Sequence, residues 1–207
     1  MEKDSDLNGG LLESGVEPSP INQFRLWFAA AEKTVPHLPN AMTLATASRD
    51  GNPSARMVLL KGFDENGFVF YTNYDSPKAL ELDVNPRAAL LFFWPELERQ
   101  VRITGAVSRV SREESEEYFH TRPFDSQVGA WVSHQSEVVS GRKELEERFT
   151  QLCAEYEGRE VPLPPYWGGY RLVPDTIEFW LSRPARLHDR IRYTRTGSSW
   201  TIERLSP

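Results

Sequence analysis

Cysteine is almost absent: Cys153 is the single one in 207 residues, so no internal disulfide can form, and no neighbouring thiol or histidine gives it the spacing of a zinc site. That fits a reducing compartment. A run of about 18 apolar residues is also missing. Residues 1–20 are polar, acidic and punctuated by Gly, Ser and Pro instead of basic and then apolar. These absences argue against membrane insertion and secretion, and cytoplasmic localisation is the expectation. Positive charge is in deficit, with 24 Lys and Arg against 30 Asp and Glu and a net charge of −6. That balance disfavours broad nucleic-acid binding, because phosphate backbones are held by a basic face. No metal-ligand spacing, internal repeat, low-complexity tract or Ser/His/Asp or Cys/His arrangement is readable, and no metal is expected.

What is present is enough for one full core. At this length and 39% hydrophobic content a single domain is expected over residues 20–207. Residues 1–19 carry few large apolar side chains and read as a flexible arm. Apolar residues recur at helical spacing over 21–33, and Pro36 follows the end of that helix. Segments 42–47, 55–63, 68–73, 88–94 and 100–110 are rich in β-branched and aromatic residues and read as strands, as do 170–173, 176–181, 187–194 and 200–205. Arg49-Asp50-Gly51-Asn52 and Asp64-Glu65-Asn66-Gly67 supply tight-turn chemistry between strands, so antiparallel hairpins are expected. Short helices are expected from Ser76-Pro77, from the capping box of Ser111 and Glu114 to about Thr121, and over about 143–156. The fold class is mainly β with peripheral helices (α+β), a barrel or sandwich.

Cations cluster despite the net charge. Arg56 and Lys61 end an apolar segment and, by period-two alternation, are expected on opposite faces of the sheet, where one strand could serve two anions; two solvated strand-end charges are the alternative. Ser76-Pro77-Lys78 puts a helix N-terminus and a lysine just after a strand end, a favourable place for a phosphate or simply a capped helix with an exposed lysine. Tyr118 and Arg122 lie four apart on a predicted helix, with Ser126 just past Pro123, and the three suit a phosphate monoester. Equally, Tyr118 could pack on the core while Arg122 pairs with Glu117 or Asp125. Arg186, His188 and Arg190 alternate along a predicted strand, so they share a face that needs an anion or a ring against it, unless that face is merely solvated. Trp94, Trp131, Trp167 and Trp200 read as core or interface residues, and Trp180 as the tryptophan placed to touch a ring. Paired glutamates such as Glu113-Glu114 and Glu146-Glu147 read as solvated helix faces.

Several strings, in order, carry a resemblance: Arg56-Met57-Val58-Leu59-Leu60-Lys61, Phe70-Tyr71-Thr72-Asn73, Glu98-Arg99-Gln100-Val101, Tyr118-Phe119-His120-Thr121-Arg122-Pro123, Ser126-Gln127-Val128-Gly129-Ala130, Ser133-His134-Gln135-Ser136, Glu178-Phe179-Trp180 and Arg186-Leu187-His188-Asp189-Arg190. Together they resemble the pyridoxine (pyridoxamine) 5'-phosphate oxidase family from about Pro20 to Pro207. The resemblance implies an FMN-binding split β-barrel homodimer with the flavin at the subunit interface. It implies that Arg56, Met57, Val58, Leu59, Leu60, Lys61, Tyr71, Thr72, Lys78, Gln100, Gln135, Ser136, Trp180 and Arg190 hold FMN, with Arg56 and Lys78 on its phosphate. Lys61, Tyr118, Arg122 and Ser126 would hold the substrate phosphate, and Arg186, Leu187 and His188 the pyridine ring, with Arg186 and His188 as the catalytic pair. The implied reaction passes a hydride from C4' of pyridoxamine or pyridoxine phosphate to the flavin, yields pyridoxal 5'-phosphate and reduces O2 to H2O2.

Three positions depart from the family pattern. Pro77 replaces an arginine before Lys78, Leu181-Ser182 replaces Gln-Gly after Trp180, and residues 1–19 lack the Arg and Tyr that close over substrate. Two rival readings share the fold: a flavin oxidase of another ring-containing acid, as in phenazine pathways, and a non-catalytic module binding flavin, haem or pyridoxal phosphate. Tyr118, Arg122 and Ser126 weigh against the first, and the presence of both Arg186 and His188 weighs against the second.

Overall fold

A computed structural model describes residues 10–207. Helix α1 (Pro20–Thr34) begins at Ser19, whose hydroxyl accepts the Asn22 N–H, and Pro20 occupies the first turn where its missing N–H costs nothing. Nine strands then form one antiparallel sheet: β1 (Ala41–Ala47), β2 (Pro53–Leu59), β3 (Gly62–Asp64), β4 (Gly67–Asn73), β5 (Arg87–Trp94), β6 (Arg99–Arg109), β7 (Trp167–Leu181), β8 (Asp189–Thr196) and β9 (Ser199–Arg204). The main path runs β2-β1-β5-β6-β7-β4-β3. Strand β7 forks the sheet, since residues 167–172 pair with β4 and residues 176–181 with β8, while β6 runs along its other edge. Helices α2 (Pro77–Val84), α3 (Arg112–His120), α4 (Phe124–Val132) and α5 (Arg142–Glu155) stand at the periphery, as the mainly β, α+β expectation requires. No helix among the described residues is long and apolar enough to cross a membrane.

Three predicted strands are organised differently. The segment expected as one strand over 55–63 breaks after Leu59, because Leu60 N–H bonds Asn40 while Lys61 N–H bonds Val69, so the chain leaves β1 for β4. Conversely, the strands expected at 170–173 and 176–181 are one strand. The register with β6 slips between Thr104 and Gly105, and the irregularity accommodates Pro174, which has no N–H to give. Gly105 is required there, since a Cβ would collide with the Val173 carbonyl. The Asp64–Gly67 hairpin forms as expected, with Gly67 at φ 128° and Asn66 N–H donating to Asp64.

Helix α1 seals the sheet. Phe24 is fully buried and meets Phe63 and Phe68 edge-on at 4.8 and 5.0 Å, with Phe92 and Trp94 beside it. Such ring pairs contribute roughly 0.5–1.5 kcal/mol each beyond burial. A second core of Phe119, Val128, Val132, Val161, Leu163 and Trp167 joins α3 and α4 to the start of β7. Of residues 1–19, expected as a flexible arm, residues 1–9 lie outside the described residues. The rest docks: Leu11 is buried, its N–H donates to Asp189, Arg204 pairs with Glu13, and Tyr193 donates to the Glu17 carbonyl.

Candidate active site

A cleft of about 820 Å³ opens between β2, the end of β4, the start of α2, the α3–α4 corner and residues 133–136, within the roughly 300–1,000 Å³ typical of small-molecule sites. Arg56, Met57, Val58, Leu59, Lys61, Tyr71, Thr72, Lys78, Tyr118, Arg122, Ser126, Gln135 and Ser136 all line it. Arg56 and Lys61 were expected on opposite faces. The break after Leu59 resets the alternation, and both face this one cleft. Leu60 is instead 4% exposed and packs into the main core.

One group of contacts gathers around Lys78. Its Nζ is buried and donates to Thr72 Oγ1 at 3.1 Å, Ser76 Oγ at 3.0 Å and Gln135 Oε1 at 2.5 Å, all neutral partners. Burial, reinforced by the charge of Arg56, pushes its pKa down from 10.5 to about 8. Arg56 is tied back by Ser54, Thr46 and the Leu44 carbonyl and pairs with Glu81 of α2 at 3.4 Å. Glu81 therefore fixes Arg56 without itself lining the cleft.

A second group lies across the cleft floor. Tyr118 stacks on Tyr71 with centroids 4.0 Å apart, and Lys61 Nζ lies 5.7 Å from the Tyr118 ring centroid. Helix α3 stops at His120, so Arg122 sits in the turn beyond it instead of on the helix face predicted with Tyr118. Its guanidinium packs over Trp167 at 4.8 Å, and its buried Nη1 has no hydrogen-bond partner. The alternative pairing with Glu117 or Asp125 is not formed. Ser126 lies in the first turn of α4, a helix that the sequence reading missed.

Four cations thus line the cleft, and no Asp or Glu is among the described residues that line it. A cleft lined by cations, two of them (Lys78 and Arg122) desolvated, and by no carboxylate among the described residues fits phosphorylated ligands, FMN and a phosphate monoester among them. Lining residues to which the sequence reading gave no binding role include Asn73, Pro77, Gly129, Ala130, Ser133 and Trp167. Gly129, Ala130 and Ser133 stood inside quoted motifs, while Trp167 was expected in the core or an interface.

The remaining predicted residues converge elsewhere. Gln100, Trp180 and Arg190 are direct cross-strand partners on β6, β7 and β8. Their sequence neighbours Val101, Phe179 and Ile191 are fully buried, so these three project from the opposite face. Glu178, 4% exposed, accepts from Arg190 Nε at 2.8 Å and pairs with Arg102 at 2.5 Å. Arg186 and His188 precede β8 and do not alternate along it as expected. Arg186 lies in a short 3-10 turn at φ 60°, after Ala185 at φ 56°. The His188 ring lies tilted against Trp180, with centroids 4.6 Å apart, and its Nδ1 accepts the Arg183 N–H, which leaves Nε2 to carry the proton of the neutral ring. Leu187 is 69% exposed beside it. None of Gln100, Trp180, Arg186, Leu187, His188 or Arg190 lines the cleft of the same chain.

Comparison with known proteins fits this division. Residues 28–153 match the family described as pyridoxamine 5'-phosphate oxidase, and residues 167–207 match the pyridoxine 5'-phosphate oxidase C-terminal dimerisation region. The pyridoxine/pyridoxamine 5'-phosphate oxidase of Rubrobacter xylanophilus is 58% identical over 198 residues, 96% of this chain and 91% of that protein. The protein of the same name from Nostoc sp. is 54% identical over 208 residues, 100% of this chain and 97% of the relative. Among solved structures, PhzG from Burkholderia lata 383, in complex with tetrahydrophenazine-1-carboxylic acid, is 32% identical with a TM-score of 0.89, covering 96% of this chain and 98% of that one. An FMN-binding protein from Nostoc punctiforme, 16% identical, shares the fold with a TM-score of 0.74 over 93% of this chain and all of that one. The sheet is thus the split β-barrel that the resemblance implied, and the chain belongs to the pyridoxine/pyridoxamine 5'-phosphate oxidase family of enzymes.

Proposed function

We propose that the protein oxidises pyridoxamine 5'-phosphate and pyridoxine 5'-phosphate to pyridoxal 5'-phosphate with FMN, in a homodimer whose two copies each complete the other's site. The observation that carries this reading is a cleft with two cationic groups, one around Arg56 and Lys78 and one around Lys61 and Arg122, and no lining carboxylate among the described residues. One group suits the phosphate of FMN and the other that of the substrate. When bound, FMN supplies a hydride acceptor and hands the electrons on to O2, giving H2O2.

The chain's own residues do the positioning. Lys78, fixed by Thr72 and Gln135, and Arg56, fixed by Glu81, hold the cofactor phosphate. Lys61, Tyr118, Arg122 and Ser126 hold the substrate phosphate and thereby place its ring. Gln100, Trp180 and Arg190 of the partner copy close over the flavin, and Arg186 and His188 of that copy orient the substrate ring, His188 as a donor through Nε2. The separation of these residues from the cleft in one chain, together with the matched dimerisation region, supports a shared site. Pro77 removes a cation beside Lys78, so Arg56 and Lys78 carry the cofactor phosphate between them.

The test is steady-state oxygen uptake by the flavin-loaded protein with pyridoxine phosphate, pyridoxamine phosphate, unphosphorylated pyridoxine and a reduced phenazine carboxylic acid. Turnover of the two phosphorylated compounds alone, with pyridoxal 5'-phosphate formed, is expected. Preference for the phenazine acid or for unphosphorylated pyridoxine would overturn the assignment.

A further inference from the structure

Trp167 opens β7 opposite Asn73 of β4, and Gly168 and Gly169 follow opposite Thr72 and Tyr71. The two glycines are sterically required. A Cβ on Gly168 would collide with the Tyr74 hydroxyl, and one on Gly169 would stand 2.7 Å from Tyr71 Cε1. With both side chains absent, the Tyr71 ring lies almost parallel to Trp167, at 5.4 Å and 10°. Tyr118 stacks on Tyr71 in turn, at 19°, and is itself within 9° of the plane of Trp167. Three rings from three elements therefore share one orientation at the cleft floor.

Arg122 rests on this shelf. Its guanidinium carbon is 4.8 Å from the Trp167 centroid and 5.5 Å from that of Phe119, and among the described residues no carboxylate pairs with it. The Nη1 atom is buried without a hydrogen-bond partner. A carboxylate holding this guanidinium would compete with an anionic ligand for the same N–H groups. Ring faces hold a planar cation and leave its in-plane donors unspent.

We propose that Trp167 is a positioning residue for the phosphate group of the substrate, acting through Arg122, and that Trp167-Gly168-Gly169 is the element that builds its shelf. The proposal rests on the substrate reading given above. It predicts that the benefit of Trp167 to phosphate binding exists only while Arg122 is present.

A double-mutant cycle tests this on the flavin-loaded protein, with the dissociation constant of the product pyridoxal 5'-phosphate measured by calorimetry and kcat and KM measured for pyridoxine phosphate. Trp167→Leu is expected to weaken product binding and raise KM roughly three- to thirtyfold, the range of a cation–π contact from exposed to desolvated settings, with kcat little changed. Trp167→Phe, which keeps a ring face, should recover most of the loss. In an Arg122→Ala background Trp167→Leu should add almost nothing. Equal effects of Trp167→Leu with and without Arg122 would overturn the proposal. Should Trp167→Leu fail to fold, Arg122→Lys decides: it keeps the charge but loses the planar face, so binding like Arg122→Ala supports the shelf and binding like wild type refutes it. Wild-type protein that binds pyridoxal 5'-phosphate without oxidising pyridoxine phosphate would sink the functional reading alone, because the cycle stays readable in the dissociation constants. Wild-type protein that binds no phosphorylated ligand would overturn both.

Discussion

Replacing Arg122 with alanine should cost binding far more than folding. In the folded chain this guanidinium is half-buried, its Nη1 has no partner among the described residues, and burial lowers its pKa because the charge has lost water without gaining a counter-ion. An unpartnered buried polar group costs about 1–3 kcal/mol, whereas a cation–π contact returns about 0.5–2 kcal/mol. The two nearly cancel, so Arg122→Ala should leave the ligand-free melting temperature within about 3 °C of wild type for a chain of this size. The bound state loses much more. One charge-assisted hydrogen bond to a phosphate contributes about 1.5–3 kcal/mol, so KM for pyridoxine phosphate should rise about ten- to 150-fold, with bound flavin nearly unchanged. Thermal melts of the ligand-free protein, flavin titration by fluorescence quenching and steady-state kinetics separate the three quantities. A large drop in melting temperature with an unchanged KM would make Arg122 a structural residue. Loss of flavin would show the two phosphate groups to be misassigned.

Lys78 gives a pH signature. Its folded pKa of about 8 lies below the ordinary 10.5, so between those values the unfolded chain holds the extra proton and stability rises with pH. Ligand-free wild type should therefore gain stability from about pH 7.5 to about pH 9.5, a gain that Lys78→Met should lack while binding flavin more weakly; parallel pH profiles of the two proteins would contradict this. Glu178 is buried between Arg102 and Arg190. Glu178→Gln should cost about 2 kcal/mol in urea unfolding, less than the roughly 3–5 kcal/mol of a fully buried pair because both arginines are partly exposed, and should loosen flavin through Arg190. A shared site predicts complementation: Lys61→Ala/Arg122→Ala chains mixed and reassociated with Arg186→Ala/His188→Ala chains should recover about a quarter of wild-type activity, and no recovery would place each site within one chain.

The hairpins and the class of the fold were legible because period-two burial and the Asn, Asp and Gly turns are local signals. What escaped depended on partners distant in sequence. Nothing between Leu59 and Gly62 announces that the chain leaves β1 for β4, yet that exchange brings Arg56 and Lys61 to the same cleft. Pro174 read as a strand end, but the slip against β6 absorbs it. Helix α4 begins straight after Pro123 and is only nine residues long, so Pro123 read as a stop. The positive φ of Ala185 and Arg186 involves no glycine, which hid the turn that takes Arg186 and His188 off the strand. The alignment of Gln100, Trp180 and Arg190 is a matter of register across three strands, and only the family resemblance grouped them. Trp167 carried a signal in Gly168-Gly169, whose meaning depends on where Tyr71 and Tyr74 lie.

The most direct measurement is the absorbance of the flavin-loaded protein under anaerobic conditions as pyridoxine phosphate, and then pyridoxamine phosphate, is added. Bleaching of the flavin band by each, its return on admission of oxygen, and formation of pyridoxal 5'-phosphate are the predicted result. A protein that holds flavin which neither compound bleaches would contradict the account.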